Sequence, residues 1–205
     1  MTDIDWQKAI DDHIQEHLQL KKFEPNVFRA SSLSGCVREC VRSRNGLITL
    51  NKEHLRYMHM GTIIHRFMQQ DVALGSIGRP CEFEKAVSMK KDGITITGHI
   101  DAWDGSVIFD FKSTGSMERT LSYPTKKGYI YQVSFYAHAM NAKRAVLVYI
   151  DKSTLEVVQK EIEIMPLDEI FEFCRKVSIA EEIYQKTGEL FSKDDCYPCH
   201  IEVEA

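Results

Sequence analysis

Two carboxylates and an amine lie close together in the middle of the chain, on segments that alternate apolar and polar residues. Asp110 and Lys112 flank Phe111 in FDFK, and Asp101 lies upstream in GHID. Carboxylates that hold a divalent metal ion activate water near neutral pH, and a nearby Lys adds positive charge or orients that water. The pattern predicts a centre able to hydrolyse a phosphodiester, with the Phe111 carbonyl as a further oxygen ligand. The alternative is a cross-strand Asp/Lys pair on a solvated face, without a catalytic role.

The two segments are predicted to form one hairpin that turns at residues 103–106, which brings Asp101 opposite Asp110. Counting alternate positions predicts one apolar face, which belongs in a core, and one face that gathers the carboxylates and the amine. The apolar face takes Ile94, Ile96, Ile100, Val107, Phe109 and Phe111, and the polar face takes Thr95, Thr97, His99, Asp101, Ile108, Asp110 and Lys112. Gly98 allows another chain or a ligand to approach closely.

The remaining pattern predicts helices around this sheet, hence an α/β fold in one domain over residues 1–205. A helical N-terminal part spans residues 1–72, a catalytic sheet core spans 81–165, and a C-terminal helix with a cysteine tail spans 166–205. Helices are predicted over 4–20, from Ser31 or Ser32 through Cys40, over 52–72, over 126–141 and over 167–186, and further strands over 81–89 and in a hairpin over 144–164 that turns near 151–153.

Composition is that of a globular protein, with 43% hydrophobic and 27% charged residues. No apolar run approaches the ~20 residues that a membrane span needs, and the N-terminus lacks a secretory signal, so a cytoplasmic location without membrane association is expected. The net charge is −4, yet the segment from Lys21 to Arg66 holds nine Lys or Arg and three acids. This segment is either a basic face for nucleic acid or an ordinary solvated surface.

The six cysteines are unlikely disulfide partners in a reducing compartment. Cys36 and Cys40 form one close pair and Cys196 and Cys199 another, and four thiolates gathered in this way suit an iron–sulfur cluster or Zn²⁺. Such a four-cysteine site would staple the two ends of the chain together, with His200 as a substitute ligand. The two other cysteines, Cys81 and Cys174, are predicted to be small buried residues of the core.

Taken together, the motifs resemble those of the PD-(D/E)XK nuclease superfamily. GHID, then FDFK, then Gln132-x-x-x-Tyr136 follow the superfamily's order. The nearer likeness is to its RecB-like branch, which includes the CRISPR-associated Cas-four exonucleases and their phage-encoded relatives. Upstream, GTIIH (61–65) resembles the branch's G-x-x-x-H helix, and SSLSGCVR (31–38) resembles its N-terminal cysteine segment. The likeness extends from Ser31 to Cys199.

The resemblance implies a restriction-endonuclease-like core, a mixed central sheet flanked by helices, and a role for each matched residue. His65, Asp101, Asp110 and the Phe111 carbonyl would bind Mn²⁺ or Mg²⁺, and Lys112 would position or activate water. Gln132 and Tyr136 would contact DNA or brace the site. The resemblance favours a 4Fe-4S cluster over Zn²⁺, although the branch commonly has one N-terminal and three C-terminal cysteines where this chain has two and two.

The function expected is that of a metal-dependent DNA exonuclease acting on single strands or duplex ends, with the 5′ to 3′ polarity that the resemblance suggests. Protein partners in recombination, phage replication or CRISPR adaptation are all compatible with it. One alternative is a non-catalytic, four-cysteine-stapled nucleic-acid-binding or assembly module with a degenerate core. The presence of all four residues argues against loss of the catalytic core: His65, Asp101, Asp110 and Lys112. A site-specific endonuclease would share the chemistry but needs base-reading elements that the sequence does not reveal.

Overall fold

A computed structural model describes residues 5–16, 23–72 and 81–190. Over these ranges the predicted helices are confirmed, with two adjustments. The helix predicted over 52–72 changes to a π-helical turn at Met68–Val72, and the second helix begins later than predicted. The helices are α1 (Trp6–Glu16), α2 (Val37–Arg44), α3 (Lys52–Phe67), α4 (Met117–Ser122), α5 (Lys127–Met140) and α6 (Leu167–Thr187).

A mixed six-stranded sheet lies at the centre of the fold, as predicted. Its strands are β1 (Val27–Arg29), β2 (Glu82–Lys91), β3 (Ile94–Trp103), β4 (Val107–Thr114), β5 (Arg144–Asp151) and β6 (Val157–Ile162). The order is β1-β3-β4-β5-β6, with β2 antiparallel to β3. The β4–β5 pair is parallel, because α4 and α5 form the crossover between these strands.

Both faces of the central strands β4 and β5 are largely buried, so the prediction of one apolar and one polar face for the hairpin was wrong. Alternate residues of β4 and β5 enter two separate clusters: Ile108 and Leu147 pack with α5 and α6, whereas Phe111 and Val148 pack with Ile64 of α3. All of β5 after its first residue is buried. Helices α5 and α6 cover one face of these strands and α3 covers the other, so that side chains on both faces are buried. The carboxylates are therefore set inside a packed layer instead of on a solvated surface.

One edge of β3 pairs with two different strands, so β3 and β4 separate beyond their short paired segment. We call this point of separation the fork. The N-terminal half of β3 pairs with β1 and its C-terminal end pairs with β4, at Ala102↔Phe109 and Trp103↔Ile108. Across the other edge, Glu84 of β2 has a φ of 49°, and the pairing is interrupted at this residue. Side chains change faces here, since Phe83 packs with the α3 cluster and Val87 with the α5–α6 cluster.

The second helix begins at Val37, and the prediction of a start at Ser31 or Ser32 was wrong. Residues Ala30–Ser32 form a 3₁₀ turn, and Cys36 is the N-cap of α2, its sulfur accepting from Glu39 N–H at 3.5 Å. Cys40 is buried one turn later, with its sulfur 3.3 Å from Ser34 Oγ. Cys196 and Cys199 lie outside the described residues, so the four-cysteine staple stays a prediction.

The segment before α2 is fixed by its contact with the start of α5. A Cβ built on Gly128 would lie 2.2 Å from the Leu33 carbonyl oxygen, and one built on Gly35 would lie 2.8 Å from Lys127 Cβ. Only glycine at position 128 permits this approach, because the obstructing atom belongs to the backbone. The contact orders the residues that lead into the cysteine pair.

Gly128→Ala is expected to destabilise the protein by about 1–3 kcal/mol or more, the range for overpacking, since the Leu33 backbone must move. Urea denaturation measures the free energy of unfolding. The matched control is Gly115→Ala, because a Cβ at Gly115 meets nothing within 4 Å. Equal stability of the two variants would contradict the close contact.

Arg44 joins three elements in the interior of the N-terminal half. Its side chain is only 4% exposed, and it is paired with Glu181 of α6, with Nε 3.0 Å and 3.1 Å from the carboxylate oxygens. It also donates to the carbonyls of Val27 and Glu24 at 2.9 Å and lies over the ring of Phe28 at 4.5 Å. This arginine is structural.

The prediction of one basic face over residues 21–66 is therefore wrong in part. Arg44 is internal, and Arg56 forms a two-pronged pair with Asp11 at 2.8 Å. Lys52 also lies near Asp11, at 3.6 Å, while Lys21 and Lys22 lie outside the described residues. None of the helices in the described ranges is long and apolar enough to cross a membrane.

Candidate active site

The carboxylate of Asp110 lies at the centre of the site and is completely buried. It projects from β4 on the α5 side of the sheet, the face that it shares with Ile108. Lys112 Nζ lies 2.7 Å from Oδ2, but neither carboxylate oxygen has a hydrogen-bond partner of good geometry among the described residues. A buried carboxylate without such partners is costly, and a bound cation would remove that cost.

Lys112 is held on three sides. Its ammonium is paired with Asp110, donates to Gln132 Oε1 at 2.8 Å and lies 4.5 Å from the ring centroid of Tyr129. Gln132 in turn donates to the Tyr136 hydroxyl at 3.2 Å, so that helix α5 fixes the lysine through two successive hydrogen bonds. The lysine is thus held in a defined position, as orientation of a reacting group requires.

Asp101 lies at the fork, where β3 and β4 separate. Its Oδ2 accepts the Phe111 N–H at 2.6 Å, a donor that would otherwise continue the β3–β4 ladder. His65 Nδ1, from α3 on the opposite face, lies 3.6 Å from the same oxygen, and its ring packs edge-on to Phe111. Asp101 therefore joins the α3 face of the sheet to the face that carries Asp110 and Lys112.

Burial and neighbouring charges shift the pKa values of Asp110, Lys112 and His65. Burial raises the pKa of Asp110 to about 6, although the neighbouring Lys112 charge opposes the rise. Burial also acts to lower the pKa of Lys112 and that of His65. At Lys112 the charge and hydrogen bond of Asp110 and the charge of Asp101 together outweigh burial, so the pKa is raised. At His65 the hydrogen bond and charge of Asp101 and the charge of Asp110 together do the same. Strong perturbation of neighbouring groups is typical of functional sites.

The ring of Tyr136 occupies the space that Gly98 leaves open. A Cβ at position 98 would lie 2.5 Å from Tyr136 Cε1 and 2.9 Å from its hydroxyl oxygen. The sequence predicted close approach at Gly98, and the group that approaches is this tyrosine. Tyr136 is 1% exposed, and burial, followed by the charge of Asp110, raises the pKa of its hydroxyl. Its phenol is thus kept neutral, as a buried hydrogen-bonding group.

Gly98→Ala is expected to displace Tyr136 and cost about 1–3 kcal/mol of stability through overpacking. In a Tyr136→Ala background the same substitution is expected to cost little, because the clashing ring is gone. A double-mutant cycle on the free energy of unfolding measures this coupling. Strict additivity of the two substitutions would show that the ring does not rest on Gly98.

The predicted catalytic residues converge, and none of the four cysteines in the described ranges contacts them. Asp101, Asp110, Lys112, Gln132, Tyr136 and His65 are linked by the contacts described above. Tyr129 was missed, although its place one turn before Gln132 on α5 could have indicated it. Cys174 is fully buried as predicted, whereas Cys81 is only partly buried, which the sequence did not predict. Glu84 accepts from Gln69 and does not join the group.

The donors around the fork suit a hard or borderline divalent cation. Two carboxylates and one imidazole are ligands that Mn²⁺ and Mg²⁺ sites use, with the imidazole favouring Mn²⁺. In the described part of the chain, no three His, Cys, Asp or Glu side chains converge closely enough to make a ready-formed site. The buried carboxylate of Asp110, whose ion-pair partner among the described residues is Lys112, is the observation that fits a cation here.

The fold is similar to that of several proteins of known structure. No family model and no curated protein matches the chain. The crystal structure of SSO0001 aligns over 100% of this chain and 98% of its own, at 20% identity and a TM-score of 0.59. An alkaline exonuclease from Laribacter hongkongensis aligns over 80% of this chain and 94% of its own, at 13% identity and a TM-score of 0.53. A phage-related exonuclease from Haemophilus somnus gives the same coverage and identity at a TM-score of 0.50.

The fold is that of these exonucleases. A mixed central sheet flanked by helices, which the motifs led us to expect, is thus shared with these solved structures. The particular likeness to Cas-four proteins is not shown by these neighbours. Since the identities are low, the function must be argued from the residues at the fork.

Proposed function

We propose that this protein is a metal-dependent deoxyribonuclease that hydrolyses DNA phosphodiester bonds as an exonuclease. The observation that carries the proposal is the buried Asp110–Lys112 pair, 2.7 Å apart, beside the His65–Asp101 contact. A buried carboxylate and ammonium that lie beside a second carboxylate and an imidazole are a costly arrangement, which is typical of a functional site. The neighbours named as exonucleases support the same reading through the fold.

His65, Asp101, Asp110 and the Phe111 carbonyl are the groups that would hold Mn²⁺ or Mg²⁺. When bound, such a cation supplies an acidified water and positive charge against the phosphate. The Nδ1 of His65 and the oxygens of Asp101 and Asp110 provide the donors, and the charge of Lys112 limits repulsion between the two carboxylates. Their burial keeps bulk water away and strengthens these electrostatic interactions.

Hydrolysis forms one bond from a water oxygen to phosphorus and breaks the bond from phosphorus to one ester oxygen. The attacking water loses a proton, and the departing oxygen gains one. Lys112, fixed by Gln132 and Tyr129, orients the water and stabilises the charge that grows on the phosphate. Tyr136 keeps Gln132 in place through its hydroxyl and is a positioning residue.

The test is cleavage of end-labelled single-stranded and duplex DNA with Mn²⁺, Mg²⁺ or EDTA. We expect cleavage with either metal and none in EDTA, with release of single nucleotides from single strands or duplex ends. Label at the 5′ end distinguishes the proposed 5′ to 3′ direction from the reverse. Absence of cleavage under every metal condition would contradict the proposal and would favour a non-catalytic binding or assembly module.

We also propose that Cys36, Cys40, Cys196 and Cys199 hold a 4Fe-4S cluster, or Zn²⁺ as the alternative. Support comes from the two N-terminal thiols, which are buried one turn apart at the start of α2. Iron, sulfide and zinc analysis of anaerobically purified protein distinguishes the 4Fe-4S cluster from Zn²⁺. Protein that contains neither would contradict the cysteine site and leave the nuclease proposal standing.

A further inference from the structure

A cavity lies beside Lys112, which forms part of its wall. It has a volume of about 650 Å³, within the range of roughly 300–1,000 Å³ that small-molecule sites occupy. Its wall is formed by the end of β4, by α4, by the loop that leads into α5, and by Tyr149 of β5. The lining residues are Lys112, Ser113, Thr114, Arg119, Thr120, Tyr123, Pro124, Thr125, Lys126, Tyr129 and Tyr149.

The charged side chains that line this cavity are all positive. Three cations line the cavity with four Ser or Thr residues, and none of the described lining residues is Asp or Glu. Another large cavity in the described ranges, between α2, α5 and α6, mixes its cations with Glu169 and Glu172. Cations with hydroxyl donors match phosphate oxygens, and acids among the lining residues would repel them.

Aromatic rings complete the lining. Tyr123 is 63% exposed, so its ring face is free to receive a planar partner. Tyr129 forms the boundary with the catalytic group, since Lys112 Nζ lies 4.5 Å and Lys126 Nζ 5.6 Å from its ring centroid. The cavity therefore adjoins the group formed by Asp110, Lys112 and Gln132.

We propose that this cavity binds the nucleotide next to the scissile phosphate and that the strand must be unpaired there. Arg119 and Lys126 contact the neighbouring phosphates, and Tyr123 stacks on the base. Stacking on an exposed ring requires a base released from its duplex partner, so the cavity selects single-stranded DNA over duplex. This inference rests on the proposed nuclease function and adds the form of the substrate to it.

Binding measured without cleavage tests the inference. Fluorescence anisotropy of a short labelled oligodeoxynucleotide in EDTA compares wild type, Arg119→Ala/Lys126→Ala and Tyr123→Ala. We expect the double variant to reduce the salt dependence of log K by about 1.4, the value for two single-strand phosphate contacts. We expect Tyr123→Ala to raise the single-strand Kd about fivefold or more, the lower end of one base-stacking contribution. A blunt duplex of the same sequence should be affected little by the tyrosine change.

Two controls isolate the cavity. Lys143→Ala/Lys186→Ala removes the same charge from exposed positions outside this lining and should leave the salt dependence nearly unchanged. Tyr123→Phe keeps the ring and should bind like wild type. The cavity proposal is overturned if Arg119→Ala/Lys126→Ala equals this control, or if Tyr123→Ala weakens single strand and duplex alike. Cleavage by wild type with metal decides the nuclease proposal separately, so the two failures are distinguishable.

Discussion

Replacing Lys112 by Met is expected to reduce DNA hydrolysis by about 10²–10³-fold, the loss that follows removal of one preorganised charge-stabilising donor. The ammonium contacts Asp110 and Gln132 at 2.7 Å and 2.8 Å, so methionine keeps the bulk of the side chain and removes its charge. Because the loss falls on the transition state, kcat should fall with little change in KM. Rates of nucleotide release from labelled single strands measure it.

Lys112→Arg should not restore activity, since a planar guanidinium cannot reproduce the compact ammonium between these two partners. Lys143→Met, at an exposed position after α5, is the matched control and should retain full activity. Circular dichroism must show both variants folded. A folded Lys112→Met protein with wild-type kcat would place the chemistry elsewhere in the molecule.

The largest effect on stability is expected from Arg44→Met. Removing one partner of a buried ion pair costs about 3–5 kcal/mol, because the other charge is left without compensation. Here Glu181, the carbonyls of Val27 and Glu24, and the stacked Phe28 ring all lose their partner. Urea denaturation measures the loss, and Tm should fall by roughly 2–4 °C for each kcal/mol in a chain of this size.

The exposed pair of Arg144 and Glu161 provides the comparison. Its side chains are 59% and 55% exposed and lie 2.9 Å apart, so Arg144→Met should cost no more than about 1 kcal/mol. If the two arginine variants lose equal stability, Arg44 does not link β1, α2 and α6 in the manner described. Restoration of Arg44→Met by Glu181→Met would support the uncompensated charge as the cause.

The central hairpin and its site were predictable because a strand has a period of two residues. Asp110 and Lys112 share a face at that spacing, and the turn at 103–106 sets Asp101 near them. Gln132 and Tyr136 were suggested by the resemblance, and their spacing on α5 brings them within hydrogen-bond distance of each other. His65 was suggested by its motif alone, since the spacing of one helix says nothing about which strand it meets.

Other features could not be predicted because they depend on contacts between distant segments. Glu84 has a positive φ, and near this residue the side chains of β2 and β3 change from one face of the sheet to the other. Counting alternate residues along the strand therefore no longer predicts which face a side chain lies on. The sequence indicates a surface position for Arg44, because its ion-pair partner Glu181 lies far along the chain. Cys36 was assigned to a helix interior but caps α2, because the residues before it are held by Gly128.

One measurement tests the central claim most directly: nucleotide release from single-stranded DNA with Mn²⁺, by wild type and Asp110→Asn purified side by side. Asparagine keeps the shape of the buried side chain and removes its charge. We expect metal-dependent release by wild type and a fall of about 10²-fold or more in the folded variant. Equal release by both proteins, or release that persists in EDTA, would contradict a metal-dependent centre at the fork.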